Sequence, residues 1–175
     1  MFSGKTARLI EHLQAARAAG CRVVACKHRL DARYDPAHLA THDGRSFEAV
    51  AVADAGDILP AATGVEVVGI DEAQFFGGTL VPVCQALTDA GGAVIVAGID
   101  HDAWGRPFPP LPELCRQADA VERLAAPCTV CGRRAVYSQR IVPVQDDEMV
   151  GGPGEYEPRC PAHFTPLPPP APQYG

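Results

Sequence analysis

Residues 65–70 read VEVVGI, and two carboxylates, Asp71 and Glu72, follow at once. A run this short cannot form a stable helix of its own. It is rich in β-branched side chains and apolar at nearly every position, so as a strand it must be covered on both faces. A strand of that kind belongs to a mainly parallel sheet with helices packed above and below it.

The rest of the chain supplies the alternation that such a sheet needs. Leu9, Ile10, Leu13 and Ala16 recur at helical spacing, and Gly20 ends the pattern, which predicts a helix over 5–19. β-rich runs follow at 21–27 and 47–52. After the 65–70 strand, residues 80–90 predict a helix stopped by Gly91 and Gly92, and 93–99 a further apolar strand. A short helix over 112–118 and a short strand over 120–124 complete the expected fold. The expected fold class is α/β with a mainly parallel sheet.

Composition changes at Pro127, beyond which the chain is polar, turn-rich and carries paired Cys and His residues. The expected division is an α/β domain over 1–126, a small second domain over 127–164, and a disordered proline-rich tail over 165–175 (TPLPPPAPQYG). With 175 residues and a hydrophobic fraction of 47%, the body of the chain can fill a core. The net charge of -6 argues against broad nucleic-acid binding, which needs a basic footprint. No apolar run approaches the ~20 residues of a membrane helix, and no secretory pattern opens the chain, so the expectation is a cytoplasmic protein without a membrane partner.

The chain opens MFSGKT, whose Gly4-Lys5-Thr6 is the end of the phosphate-loop pattern G-x-x-x-x-G-K-[ST]. Backbone N–H groups at a helix start cradle phosphate oxygens, a lysine reaches the outer phosphates, and the hydroxyl of a Thr binds Mg²⁺. The opening glycine and the strand before it are absent, and the expectation is that the native product begins upstream of Met1. Asp71, at the end of its strand, suits a Mg²⁺ ligand, and Glu72 suits a base that takes a proton from an attacking hydroxyl.

Cys128-x-x-Cys131 and Cys160-x-x-His163 are two paired knuckles of the kind that bind tetrahedral zinc. Three thiolates and one imidazole fill the shell, which favours a structural site. Cys21, Cys26, Cys84 and Cys115 lie in apolar contexts and read as small buried hydrophobes. The remaining histidines read as surface or supporting residues.

In family order, Met1-Phe2-Ser3-Gly4-Lys5-Thr6, Asp31-Ala32-Arg33-Tyr34, His42-Asp43-Gly44, Asp71-Glu72-Ala73-Gln74-Phe75-Phe76, Gly98-Ile99-Asp100, Arg106-Pro107-Phe108, the metal cluster, and Val150-Gly151-Gly152 with Tyr156 resemble the zinc-containing thymidine kinase family. The resemblance implies a P-loop NTPase-like nucleotide-binding domain over 1–126 with a small C-terminal zinc-binding domain over 127–164, and transfer of the ATP γ-phosphate to the 5′-hydroxyl of thymidine or deoxyuridine. It implies ATP contacts from Met1 to Thr6, Asp71 and Gln74, with Mg²⁺ at Thr6 and Asp71 and Glu72 as catalytic base. Arg33 would support transferred charge. Phe108, Ser138, Val150, Gly151, Gly152 and Tyr156 would bind the nucleoside, the last four on a loop gripping the base by its main chain. A homotetramer with feedback inhibition by thymidine triphosphate is implied too. Ala103 stands where the family usually has a phenylalanine, with Trp104 next to it. The alternative is a catalytically impaired relative that acts as a zinc-ribbon or nucleotide-binding protein. Asp71-Glu72-Ala73-Gln74 also resembles the acidic box of helicases, but a short acidic chain suits a nucleic-acid motor poorly.

Overall fold

A computed structural model describes residues 2–31, 37–41, 44–143, 151 and 154–168. In chain order these form helix α1 (Lys5–Ala18), strands β1 (Val23–His28), β2 (His38–Ala40), β3 (Ser46–Glu48) and β4 (Val50–Val52), and helix α2 (Ile58–Ala61). Strand β5 (Val67–Asp71), helix α3 (Leu80–Asp89), strand β6 (Ala93–Val96) and helix α4 (Leu111–Gln117) follow. Four short strands complete the order: β7 (Ala126–Pro127), β8 (Arg134–Ala135), β9 (Tyr137–Arg140) and β10 (Tyr156–Arg159).

The chain divides into two compact units. The larger, Gly4–Asp100 with Phe108–Leu124, holds a four-stranded sheet in the order β4-β1-β5-β6. Its strands are all parallel, with Val24 beside Val68 and Val68 beside Val94. This is the α/β architecture expected from the alternation of apolar runs. Every residue of β5 is buried, as its two-sided apolar pattern requires. One core joins Cys26, Ile58, Val68, Ile70, Leu80 and Leu111; another joins Leu9, Ile10, Leu13, Ala25, Leu39 and Phe47.

Gly69 sets how closely α1 lies on β5. A Cβ built there would stand 2.6 Å from Leu13 Cδ1, so only glycine admits the helix at this distance. Residues 47–52 are not one strand. Ala49 separates β3, which pairs antiparallel with β2, from β4, which joins the parallel sheet. Residues 120–124 form no strand, contrary to expectation. Val121 to Arg123 are exposed, Glu122 pairs with Arg8 and Arg123 with Asp100, and these outward ion pairs hold the segment in place of a ladder.

The smaller unit is Met1–Ser3, His101–Pro107 and Ala125–Gly175. It contains two short antiparallel pairs, β7 with β8 and β9 with β10. Among the described residues its buried apolar cluster is Cys128, Ala135 and Cys160. The proline-rich segment read as disordered from Thr165 carries hydrogen bonds as far as Pro168. Thr165 N–H donates to Gln139 Oε1, Leu167 N–H to the Ala103 carbonyl, and Trp104 Nε1–H to the Pro168 carbonyl. Phe164 stacks on Tyr137 with ring centres 4.3 Å apart.

Candidate active site and metal centre

The first turn of α1 meets the end of β5. Gly4 has φ 79°, a left-handed conformation that glycine adopts without strain, and its carbonyl accepts the Arg8 N–H at 2.9 Å. No acidic side chain occupies the first turn of α1, so its N–H groups carry their partial positive charge unopposed by the helix's own residues. Lys5 Nζ lies 2.6 Å from Glu72 Oε1 and 3.7 Å from Asp71 Oδ1. The Thr6 hydroxyl donates to Asp71 Oδ2 at 2.7 Å. The close packing of Leu13 over Gly69 is what holds these two ends together.

Asp71 is 1% exposed and Glu72 5%. Burial is the largest influence on the Asp71 carboxyl and raises its pKa. The Lys5 ammonium opposes that rise, the Glu72 carboxylate adds to it, and the Thr6 hydroxyl and the Glu72 N–H, which donates to Asp71 Oδ1 at 2.9 Å, pull it back. Glu72 itself has φ 51°, a left-handed backbone rare outside glycine and worth roughly 1–3 kcal/mol of strain. The turn aims its side chain back at Lys5. Gln74 braces it there: its amide Nε2 donates to Glu72 Oε2, and its Oε1 accepts the Ile99 N–H at 3.2 Å. Gly98 leaves room for that amide, since a Cβ there would stand 3.2 Å from Gln74 Oε1. Gln74, expected among the nucleotide contacts, is thus buried with its amide on Glu72 and on the backbone.

Of the other expected site residues, Phe2 is exposed and Ser3 half-buried. Phe108 is half-buried in the larger unit, its N–H on the Asp100 carbonyl at 2.9 Å. Ser138 and Tyr156 are buried in the smaller unit on the paired strands β9 and β10. Gly151 lies against the Tyr156 ring, where a Cβ would stand 2.9 Å from Cε2. Met1, Arg33, Val150 and Gly152 fall outside the described residues. His28, read as a surface or supporting residue, is buried edge-on against Phe76 at 4.9 Å.

Cys128, Cys131, Cys160 and His163 converge, with all four ligand atoms within 4.8 Å of one another. Burial alone would raise the Cys128 thiol, but N–H groups of Cys160, Val130 and Cys131 aimed at its sulfur bring it down to about 5. The Arg133 side chain lowers the Cys131 thiol as well. Three soft sulfurs and an imidazole nitrogen in a closed group fit a structural zinc ion. Gly132, at φ 72°, closes the tight knuckle directly after the two N-terminal ligands, its N–H on the Cys128 carbonyl at 2.8 Å. Cys26 and Cys84 are buried as expected for small hydrophobes, whereas Cys21 and Cys115 are half-exposed.

The family model described as thymidine kinase matches residues 1–164. The chain belongs to the thymidine kinase family. It is 45% identical to the thymidine kinase of Rhodothermus sp. (strain ITI 518) over 166 residues, 95% of this chain and 78% of that protein. To the thymidine kinase of Coprothermobacter proteolyticus it is 46% identical over 169 residues, 93% of this chain and 85% of the relative. To that of Deinococcus radiodurans it is 44% identical over 180 residues, 92% and 85% of the two chains. Within a kinase the pairing of α1 with the end of β5 has a direct meaning, because phosphoryl transfer asks for a cation near the phosphates and a carboxylate near the attacking hydroxyl.

Arg140 is a residue of this kinase that sequence reading missed. It is 7% exposed and donates from Nη1 to Tyr156 Oη at 3.1 Å and from Nη2 to the Pro143 carbonyl at 3.2 Å. The period-two alternation Ser138–Arg140 on β9 was the signal available, since both residues point to the buried side. Among the described residues no helix is long and apolar enough to cross a membrane.

Proposed function

We propose that this kinase transfers the γ-phosphate of ATP to the 5′-hydroxyl of thymidine or deoxyuridine. The observation that carries the reading is the convergence of Lys5, Thr6, Asp71 and Glu72 at the junction of α1 and β5. Lys5 neutralises the phosphate oxygens, and the N–H groups of the first turn of α1 cradle them with Gly4. Met1, Phe2 and Ser3 contribute further contacts to ATP. Thr6 Oγ1 and Asp71 Oδ2, hard oxygen donors 2.7 Å apart, suit Mg²⁺, which supplies charge neutralisation at the β- and γ-phosphates.

Glu72 accepts the proton of the 5′-hydroxyl. In that role its carboxylate must exchange Lys5 for the substrate hydroxyl, and phosphate oxygens give the ammonium a competing partner. Gln74 and the left-handed turn keep Glu72 in position during that exchange. Arg33 supports the charge of the transferred group. Phe108, Ser138, Val150, Gly151, Gly152 and Tyr156 hold the nucleoside, and zinc on Cys128, Cys131, Cys160 and His163 steadies the segment 127–164 that carries most of them. The kinase works in the cytoplasm as a homotetramer restrained by thymidine triphosphate.

Incubation with thymidine, Mg²⁺ and γ-labelled ATP tests the reading. Label appearing in thymidine monophosphate supports it. ATP binding with no labelled nucleotide formed would show a nucleotide-binding relative that has lost catalysis.

A further inference from the structure

Arg140 and Tyr156 face each other directly across the β9–β10 pair. The guanidinium can only donate, so the Tyr156 oxygen is the acceptor in the 3.1 Å bond between them. The guanidinium carbon also stands 5.3 Å from the ring centre. The Cδ2–Cε2 edge of the ring meets Gly151, whose missing Cβ leaves the space that edge occupies. Arg140 Nη2 reaches the Pro143 carbonyl, so one side chain ties the exit of β9 to the start of β10.

This arrangement is costly for a residue that only fills a hairpin. Arg140 is more than nine-tenths buried, and its Nε–H has no acceptor among the described residues. A buried donor without a partner calls for an explanation, and an apolar side chain would fill this cross-strand position without one. We propose that Arg140 is a positioning residue for the nucleoside: it holds the Tyr156 ring, through the phenolic oxygen, in the orientation that packs against the base and sugar. The inference rests on the assignment of Tyr156 to the nucleoside site.

A double-mutant cycle tests it, read as thymidine affinity by calorimetry and as KM and kcat by assay. R140M raises the thymidine Kd and KM by about tenfold, the loss expected for one hydrogen bond to a buried charged group. The KM for ATP stays within about twofold, because no ATP contact changes. Y156F raises the thymidine constants to a similar degree, and the double variant is no worse than Y156F, since Arg140 acts through the hydroxyl that Y156F removes. R140K keeps the charge and one donor but loses the fork, and it falls between R140M and the parent.

An unchanged thymidine Kd in R140M overturns the proposal, as does a double variant weaker by the product of the two single effects. If R140M fails to bind zinc, R140K decides alone: a raised thymidine Kd with unchanged ATP KM supports the proposal, and parental values overturn it. A parent protein that neither binds nor phosphorylates thymidine overturns the functional reading, and this inference with it. A parent that does both, with a parental R140M, overturns this inference alone.

Discussion

Glu72 is held by three separate constraints: a left-handed backbone, the Lys5 ammonium and the Gln74 amide. None of these could be read from the Asp-Glu pair in the sequence, although the pair itself marked the place. Lys5, Thr6, Asp71 and Glu72 were legible because each belongs to a short motif with a fixed chemical role. Gln74 was named only as a nucleotide contact, and Arg140 not at all; the bracing role of the first and the place of the second depend on partners across the fold, the Ile99 backbone for one and Tyr156 for the other. The buried thiols carry a prediction at this scale. Burial raises Cys26 and Cys84 from 9.0 to about 11. In the unfolded chain both ionise near 9, so their contribution to stability is full below that pH and is lost as pH rises towards 11. The slope is about 1.4 kcal/mol per pH unit for each thiol. Urea denaturation between pH 9 and 10.5 therefore falls less steeply for C84A than for the parent, and parallel slopes would contradict the burial of Cys84.

Packing between elements decides whether the site exists at all. α1 reaches the carboxylates of β5 only because Gly69 has no side chain beneath Leu13. G69V forces α1 outward; overpacking of this kind costs about 1–3 kcal/mol. The predicted outcome is a lower thermal midpoint with a raised KM for ATP, both measurable on one preparation, and a parental KM for ATP would show that Gly69 does not set the distance of Lys5. The zinc knuckles carry a second prediction. Strands β7 and β8 have two residues each, and the cluster around the metal ligands buries few apolar side chains. A zinc ion held there would supply much of what folds this unit. Chelation, or C131S, exposes residues 125–168 to protease, while residues 4–100, with two cores of their own, stay protected. Equal protection of both segments would contradict the structural role. At this scale the sequence told the helices and parallel strands well, because their apolar periods are strong. It misjudged residues 120–124, whose β-type pattern loses to exposed ion pairs, and it passed over the β2–β3 hairpin, whose three-residue strands are too short to show a period.

For the whole molecule, a net charge of -6 leaves a few local donors, such as Lys5 and the first turn of α1, as the places where an anion can be held. Family membership makes the chain a kinase, and the cysteine–histidine cluster is one that could hold a metal ion such as zinc. The α1–β5 junction is the part on which the rest depends, and Glu72 is its only proposed proton acceptor. Replacing Glu72 by Gln keeps the size and the bond to Gln74 but removes the basic oxygen. Single-turnover phosphorylation of thymidine, measured beside Mg²⁺–ATP binding on the same E72Q protein, tests this most directly. The expected result is ATP affinity within about twofold of the parent and a rate lower by about 10²–10⁴, the usual worth of a general base. A parental single-turnover rate in E72Q would contradict the account.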